Sequence, residues 1–317
     1  MLDAHPDMDP EVMAELQRHA ASSPPIWEKT TQEARQGRLA RTPAPCEGSI
    51  PTRDIVIESA DRAMPVRVYD VGADDDVVIL FFHGGGFVTG DLETHHGQAA
   101  ELAEITGRTV VSIDYRLAPE HPFPAALHDA FDAVEWARSP RGAAELKVKT
   151  PRIAVAGVSA GANLAANASR EFARRNEPML AQLLAYPWFD ATEDFESRRL
   201  FADGLGLSTR ALSWYLERVL PDPDTRRSAE FSPLLDPRAD RLPPTVLNIA
   251  MIDPLRDDAI AYAVLIDRAG VPASVQICPQ LPHGFWGMTA HSRTAADAAR
   301  ELCTRFAVVL DELSPRA

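Results

Sequence analysis

The sequence is short of the features that mark several protein classes. Only three of its 317 residues are cysteines, Cys46, Cys278 and Cys303, an odd and widely spaced set without a CxxC pair. Neither a disulfide scaffold nor a cysteine-based zinc or redox centre is therefore expected, and the thiols read as those of a reducing compartment. No apolar stretch is long enough to span a bilayer, and the first residues, MLDAHPDMDPEV, carry acids and prolines where a secretory leader needs a basic start and an apolar run. Basic residues are in deficit: 32 Lys and Arg stand against 46 Asp and Glu, giving a net charge of −14 and a pI near 5.1. That field repels nucleic acid and anionic lipid. The expectation is a cytoplasmic protein with neither nucleic-acid nor integral membrane association. Its acidity is spread along the chain apart from the run Asp74, Asp75 and Asp76, which reads as a solvated turn. Internal repeats and low-complexity tracts are absent too.

Hydrophobic residues make up 45% of the chain, enough for one α/β domain or a core domain with a lid. The segments 53–59 and 64–70 alternate in polarity around a short polar turn, which predicts an antiparallel hairpin. Six short, mostly apolar runs follow, at 77–82, 109–114, 152–157, 179–186, 245–250 and 274–278. Such runs suit strands covered on both faces. Helix-like segments separate them; in Pro124 to Arg138, Leu127, Phe131 and Val134 share one face. Alternation of strand and helix predicts a doubly wound, mostly parallel sheet with the hairpin at its edge. Helices are also expected from Pro10 to Ala20 and from Ile26 to Gln36. The stretch from about 190 to 242 is too long for a simple connection and holds a helix of its own, with Ser208 as N-cap and Leu212, Tyr215, Leu216 and Val219 as its apolar face. Together with residues 1–45 this insertion is the candidate helical cap, and 46–317 is the candidate catalytic domain.

Gly157-Val158-Ser159-Ala160-Gly161 is a G-x-S-x-G pentapeptide between a predicted strand and a predicted helix. Alone it is a modest signal, expected on the order of 0.1 times by chance at average Gly and Ser usage. The chemistry needs a sharp turn that projects the serine hydroxyl, and flanking glycines are read as allowing it. Helix amides then converge on the same spot. A second element agrees. His83-Gly84-Gly85-Gly86-Phe87 follows the strand 77–82, where backbone N–H groups unshielded by side chains can approach a carbonyl oxygen. The pattern lacks the spacing and lysine of a phosphate-binding P-loop. An acid and a base should follow the serine in that order. Asp253, just past the strand 245–250, and His283, past the strand 274–278, satisfy order and position. Asp257 and Asp258 compete for the acid role but look like first-turn residues of a helix, drawn to its dipole and free N–H groups. His95 and His96 lack a completing ligand set for a metal and read as loop or surface residues. No metal and no cofactor is expected.

These stretches resemble the bacterial hormone-sensitive-lipase-like esterases: HGGGF (83–87), DYRLAPEHPFPAAL (114–127), GVSAGANLA (157–165), DPLRDD (253–258) and PHGF (282–285), in the family's order over nearly the whole chain. The resemblance implies an α/β-hydrolase fold with a helical cap. It also implies hydrolysis of short- to medium-chain carboxylic esters through an acyl-enzyme. Residue by residue it matches Ser159, Asp253 and His283 to the triad and Gly84, Gly85, Gly86 and Ala160 to the oxyanion hole. Two departures stand out: Val158, where the family usually has Asp or Thr, and Ala162, where it has glycine. Phe87, Trp188, Trp214 and Phe285 are candidates for walls of the substrate pocket, with lid or core packing the competing role for each. Amide, formamide, carbamate and lactone hydrolysis use the same triad and stay open. A non-catalytic receptor of the gibberellin-receptor kind is disfavoured because His283 is kept. The expected partner is a small ester substrate; a homodimer is compatible with the sequence.

Overall fold

The computed structural model describes residues 7–42, 50–58, 62–72, 76–192, 195–204, 206–236 and 238–314. Cys46, Asp74, Asp75 and the boundary drawn near residue 45 lie outside them. Among the described residues eight strands form one sheet: β1 (Thr52–Glu58), β2 (Ala63–Tyr69), β3 (Val77–Phe82), β4 (Thr109–Ile113), β5 (Arg152–Val158), β6 (Gln182–Ala185), β7 (Thr245–Ile252) and β8 (Ala273–Pro282). Their spatial order is β1-β2-β4-β3-β5-β6-β7-β8, with β2 antiparallel to β1 and β4 and all other pairs parallel. The α/β-hydrolase fold and the edge hairpin are as expected.

Among the described residues ten helices connect and cover the strands: α1 (Pro10–Ser22), α2 (Thr31–Leu39), α3 (His96–Thr106), α4 (Ala125–Arg138), α5 (Pro140–Leu146), α6 (Ala160–Arg174), α7 (Glu196–Leu200), α8 (Thr209–Val219), α9 (Arg256–Arg268) and α10 (Arg293–Leu313). Period-two alternation along the buried strands assigns the two apolar layers. Val78, Leu80 and Phe82 of β3 belong to the layer packed against α4 and α6. Val77, Ile79 and Phe81 belong to the layer on the other side, which also holds the buried residues of α1, α3 and α10. A strand buried on both faces needs apolar residues at every position, which is why 77–82 reads VVILFF.

One expected helix is divided. Residues Ile26–Glu28 form a 3₁₀ turn, and α2 starts afresh because Thr30 and Glu33 close a capping box. In the insertion Ser208 caps α8 by accepting from the Ala211 amide, and the apolar face named above is buried. The insertion packs on the N-terminal segment, where the Arg210 guanidinium lies 4.6 Å over the Trp27 ring. Helix α2 also reaches the loops beyond β3 and β4: Arg35 donates to the carbonyls of Val88 and Ala118 and pairs with Glu120.

Candidate active site

Strand β5 runs into α6 through Ser159, whose φ of 56° and ψ of −120° place a non-glycine residue in strained backbone. The strain sits on the serine itself. Gly157 and Gly161 take ordinary φ, and their lack of a side chain serves a different end from the turn expected of them. A Cβ on Gly157 would lie 2.2 Å from the Gly161 carbonyl oxygen, and one on Gly161 would lie 2.0 Å from that of Phe82. The glycines let helix and strands cross at contact distance, aiming the helix N-terminus at the serine. Val158 is buried in the apolar layer, and Ala162 is buried against the other face.

Strands β7 and β8 end beside β5 and β6, so the loops that follow them bring an acid and a base to the serine. His283 Nε2 lies 2.8 Å from Ser159 Oγ, and His283 Nδ1 lies 2.7 Å from Asp253 Oδ2. The other oxygen of Asp253 accepts the Leu255 amide at 2.8 Å, and the carboxylate is almost wholly buried. With Asp253 facing Nδ1, the imidazole directs its bare Nε2 at the hydroxyl. Tyr186 sets its ring edge-on to His283 at 5.0 Å and to Phe285 at 5.4 Å. Burial pushes the Tyr186 phenol well above its ordinary range, so it stays neutral.

The glycine loop bends through positive φ at Gly85, Gly86 and Phe87, and Tyr215 of α8 lies flat enough on Gly86 that a Cβ there would sit 2.4 Å from its ring. Among the described residues the amides of Gly85, Gly86 and Ala160 donate to no protein group. Gly84 departs from expectation, because its amide is spent on His95 Nε2 at 3.1 Å. His95 is correspondingly buried rather than a surface residue. His83 donates from Nδ1 to the Gly84 carbonyl at 2.9 Å and stacks on Tyr115, whose hydroxyl donates to the His83 carbonyl at 2.7 Å. Burial pulls His83 down to about 4, so it is neutral at physiological pH.

Asp257 and Asp258 do not bond their own helix amides, as the sequence suggested they would. Asp258 is buried and accepts from the Phe189 and Asp190 amides at 2.9 Å each and from Arg198 at 2.8 Å. Asp257 accepts from the Ser197 amide and from Arg256. Both carboxylates therefore tether the insertion. Asn163 of α6 tethers it as well, donating to the Trp188 and Phe231 carbonyls at 2.8 and 2.7 Å.

The four aromatic wall candidates are all buried. Phe87 lines a small cavity with Phe123, Asn163, Leu164 and Val219, and none of Ser159, Asp253, His283 and the glycine-loop residues 84–86 borders it. Trp188 packs on Phe87 and Phe231 and donates its indole N–H to the Asp190 carbonyl. Trp214 is sandwiched between Tyr215 and Arg218, and Phe285 lies under Tyr186. Neither Trp214 nor Phe285 borders that cavity. Tyr115, Tyr186 and Asn163 were not singled out from sequence, although all three lie in or next to the motifs quoted above.

A serine on a strained strand-to-helix turn, hydrogen-bonded to a histidine that is hydrogen-bonded to a buried carboxylate, defines a hydrolase of the α/β-hydrolase class. Comparison with known proteins agrees: residues 79–287 match a family described as alpha/beta hydrolase fold. An esterase of Mycobacterium tuberculosis, LipI, is 36% identical over 88% of each chain. A carboxylesterase of the same organism, NlhH, is 38% identical over 74% of this chain and 75% of its own. Among solved structures, the hyperthermophilic esterase of Pyrobaculum calidifontis superposes with a TM-score of 0.86 at 30% identity, covering 97% of this chain and 99% of that one. The chain belongs to the hormone-sensitive-lipase-like esterases of the α/β-hydrolase superfamily.

Proposed function

We propose that this carboxylic ester hydrolase works by nucleophilic catalysis, with Ser159 as nucleophile, His283 as general base and acid, and Asp253 holding the imidazole in the productive tautomer. The unbroken hydrogen-bond relay from Ser159 through His283 to Asp253 carries the reading. As Oγ attacks the ester carbonyl, Nε2 takes its proton, and the carboxylate stabilises the imidazolium. The carbonyl oxygen, now an anion, is received by the amides of Gly85, Gly86 and Ala160, which have no competing protein acceptor. Each such donor is typically worth roughly a hundred- to a thousandfold in rate. Nε2 then returns the proton to the departing alcohol, and water repeats the attack on the acyl-enzyme.

Short- to medium-chain carboxylic esters are the substrates we assign, in keeping with the similarity to the carboxylesterase NlhH. Phe87, which follows the glycine loop, and Trp188 packed on it are the candidate wall of the acyl site. Residues 1–45 and 190–242 act as the cap, supported by the packing of α2 and α8 on the loops that carry the reacting groups. The cytoplasm is the compartment we assign, in keeping with the buried free thiols Cys278 and Cys303 and a net charge of −14. No described helix is long and apolar enough to cross a membrane. A homodimer would use the exposed apolar residues Val275 and Ile277 on edge strand β8 with Ile260 and Val264 on α9.

The test is a series of p-nitrophenyl esters of rising chain length, run beside amide and lactone substrates on wild type and Ser159→Ala. Turnover should peak at short to medium chains and vanish in the variant, together with labelling by a fluorophosphonate probe. Stoichiometric labelling of a folded Ser159→Ala protein would sink the nucleophile assignment.

A further inference from the structure

The peptide that joins His83 to Gly84 is gripped at both ends. Its carbonyl accepts the Tyr115 hydroxyl at 2.7 Å, and its N–H donates to His95 Nε2 at 3.1 Å. The next peptide carries the Gly85 amide, one of the three donors assigned above to the oxyanion. In a trans peptide the N–H points away from the C=O. Gly85 N–H therefore points away from the Gly84 carbonyl, which accepts His83 Nδ1 at 2.9 Å, and with the His83–Gly84 peptide gripped by Tyr115 and His95 both peptides that flank Gly84 are held.

His95 can do this in only one protonation state. Arg38 of α2 also reaches Nε2, its Nη2 lying 3.1 Å away. Neither a guanidinium nor a backbone N–H can accept a hydrogen bond, so Nε2 must be bare and the ring proton must be on Nδ1. Thr94 Oγ1 stands 3.0 Å from Nδ1 and has an acceptor position for it, because Thr94 gives its own proton to the Asp91 carbonyl and also accepts the Asp91 amide. The single lone pair of Nε2 is thus shared by the Gly84 amide and Arg38, and the Nδ1 proton goes to Thr94. Burial first, then Arg38 and His83, hold the ring well below the ordinary histidine range. Arg38 is half-buried and has no carboxylate partner among the described residues.

We infer that His95, locked in its Nδ1–H tautomer by Arg38, is a positioning residue for the oxyanion loop, so that helix α2 of the N-terminal segment sets the aim of the Gly85 and Gly86 amides. The inference rests on the assignment of those amides to the oxyanion. A misplacement of about 1 Å in such a donor can cost on the order of a hundredfold in rate. The loss should fall on kcat, since the oxyanion forms only in the transition state.

The experiment compares wild type with His95→Ala, His95→Gln and Arg38→Leu, measuring kcat and KM on p-nitrophenyl butyrate and Ki for a trifluoromethyl ketone that forms a tetrahedral adduct. His95→Ala should lower kcat roughly tenfold to a hundredfold at nearly constant KM, with Ki rising in proportion. His95→Gln should recover most of the loss, because its amide oxygen can accept the Gly84 N–H. Arg38→Leu should show a smaller loss of the same kind. Wild-type kcat and Ki in folded His95→Ala, or equal impairment of the Gln and Ala variants, overturns the inference. If His95→Ala does not fold, Arg38→Leu decides, and unchanged kcat and Ki overturn it. Fluorophosphonate labelling of wild type separates the two levels: no labelling defeats the serine-esterase reading itself, whereas normal labelling with an indifferent His95 defeats only this inference.

Discussion

Two aspartates five residues apart should respond in opposite ways to the same change of one atom. In Asp253→Asn the side chain must serve Leu255 N–H on one side and His283 Nδ1 on the other, positions now held by two carboxylate oxygens at 2.8 and 2.7 Å. If the amide oxygen stays with Leu255, the NH₂ group meets Nδ1 and drives the imidazole to the Nε2–H tautomer. That tautomer donates to Ser159 and cannot take its proton. The flipped amide restores Nδ1–H but sets NH₂ against the Leu255 N–H, a buried mismatch of about 1–3 kcal/mol. kcat should fall by up to roughly ten-thousandfold, as in the equivalent serine-protease change, with folding nearly intact. In Asp258→Asn one face can still accept the Phe189 and Asp190 amides, but the NH₂ group opposes Arg198 and leaves a buried guanidinium without its counter-charge. Breaking one side of such a pair costs about 3 kcal/mol or more. For a chain of this size that is a fall in Tm of roughly 6–12 °C, while kcat at 25 °C should stay near wild type. Steady-state hydrolysis of p-nitrophenyl butyrate and thermal denaturation on the same preparations give both numbers. Near-normal turnover in Asp253→Asn, or collapse of kcat without loss of Tm in Asp258→Asn, would refute the assignment.

Gly161→Ala would place a methyl 2.0 Å from the Phe82 carbonyl oxygen, so the variant should express as insoluble protein or melt far below wild type, and a normal melt would show that the helix crossing can relax. Removal of residues 1–35 strips Val12 and Leu16 from the core and Asp9 from Ser292 and Thr294; dye binding should report new apolar surface, and the preferred ester length should change, whereas no change in either defeats the cap assignment. The Arg238 guanidinium, hydrogen-bonded to Asp236, holds that carboxyl down to about 2. Because the folded value lies below the unfolded one, near 3.9, its contribution to stability is present above about pH 4 and lost as pH falls toward 2. The stability gap between wild type and Asp236→Asn should therefore close over that window; a gap that persists at pH 2 would exclude the mechanism.

The parts of the molecule that the sequence discloses are those whose cause is local. The central strands are legible because a strand buried on both faces must be apolar throughout, the edge hairpin because its polarity alternates, and the order of serine, acid and base because each follows a strand end. Ser159 does stand on the strand-to-helix turn, but the flanking glycines are there for crowding and not for backbone angle. A pentapeptide records that glycines are required without recording whether backbone angle or crowding requires them, and here the crowding comes from Phe82 and from the first turn of α6.

Partner choice across long sequence separations is a different kind of information. Asp258 sits in the first turn of α9, where local rules direct an acid to its own helix amides, yet its acceptors are used by Phe189, Asp190 and Arg198. Local capping competes with tertiary donors, and a buried guanidinium offers the stronger bond. His95 shows the same competition. As one of two adjacent histidines in a loop it raises the question of metal coordination, which asks for other ligands nearby in sequence, whereas its Nε2 partners are a glycine amide and Arg38, 57 positions earlier. The glycine run that makes the loop recognisable also hides this dependence: residues without side chains cannot orient their own amides, so the orientation must be imposed by neighbours, and in this protein two of those neighbours are imidazoles that burial keeps neutral.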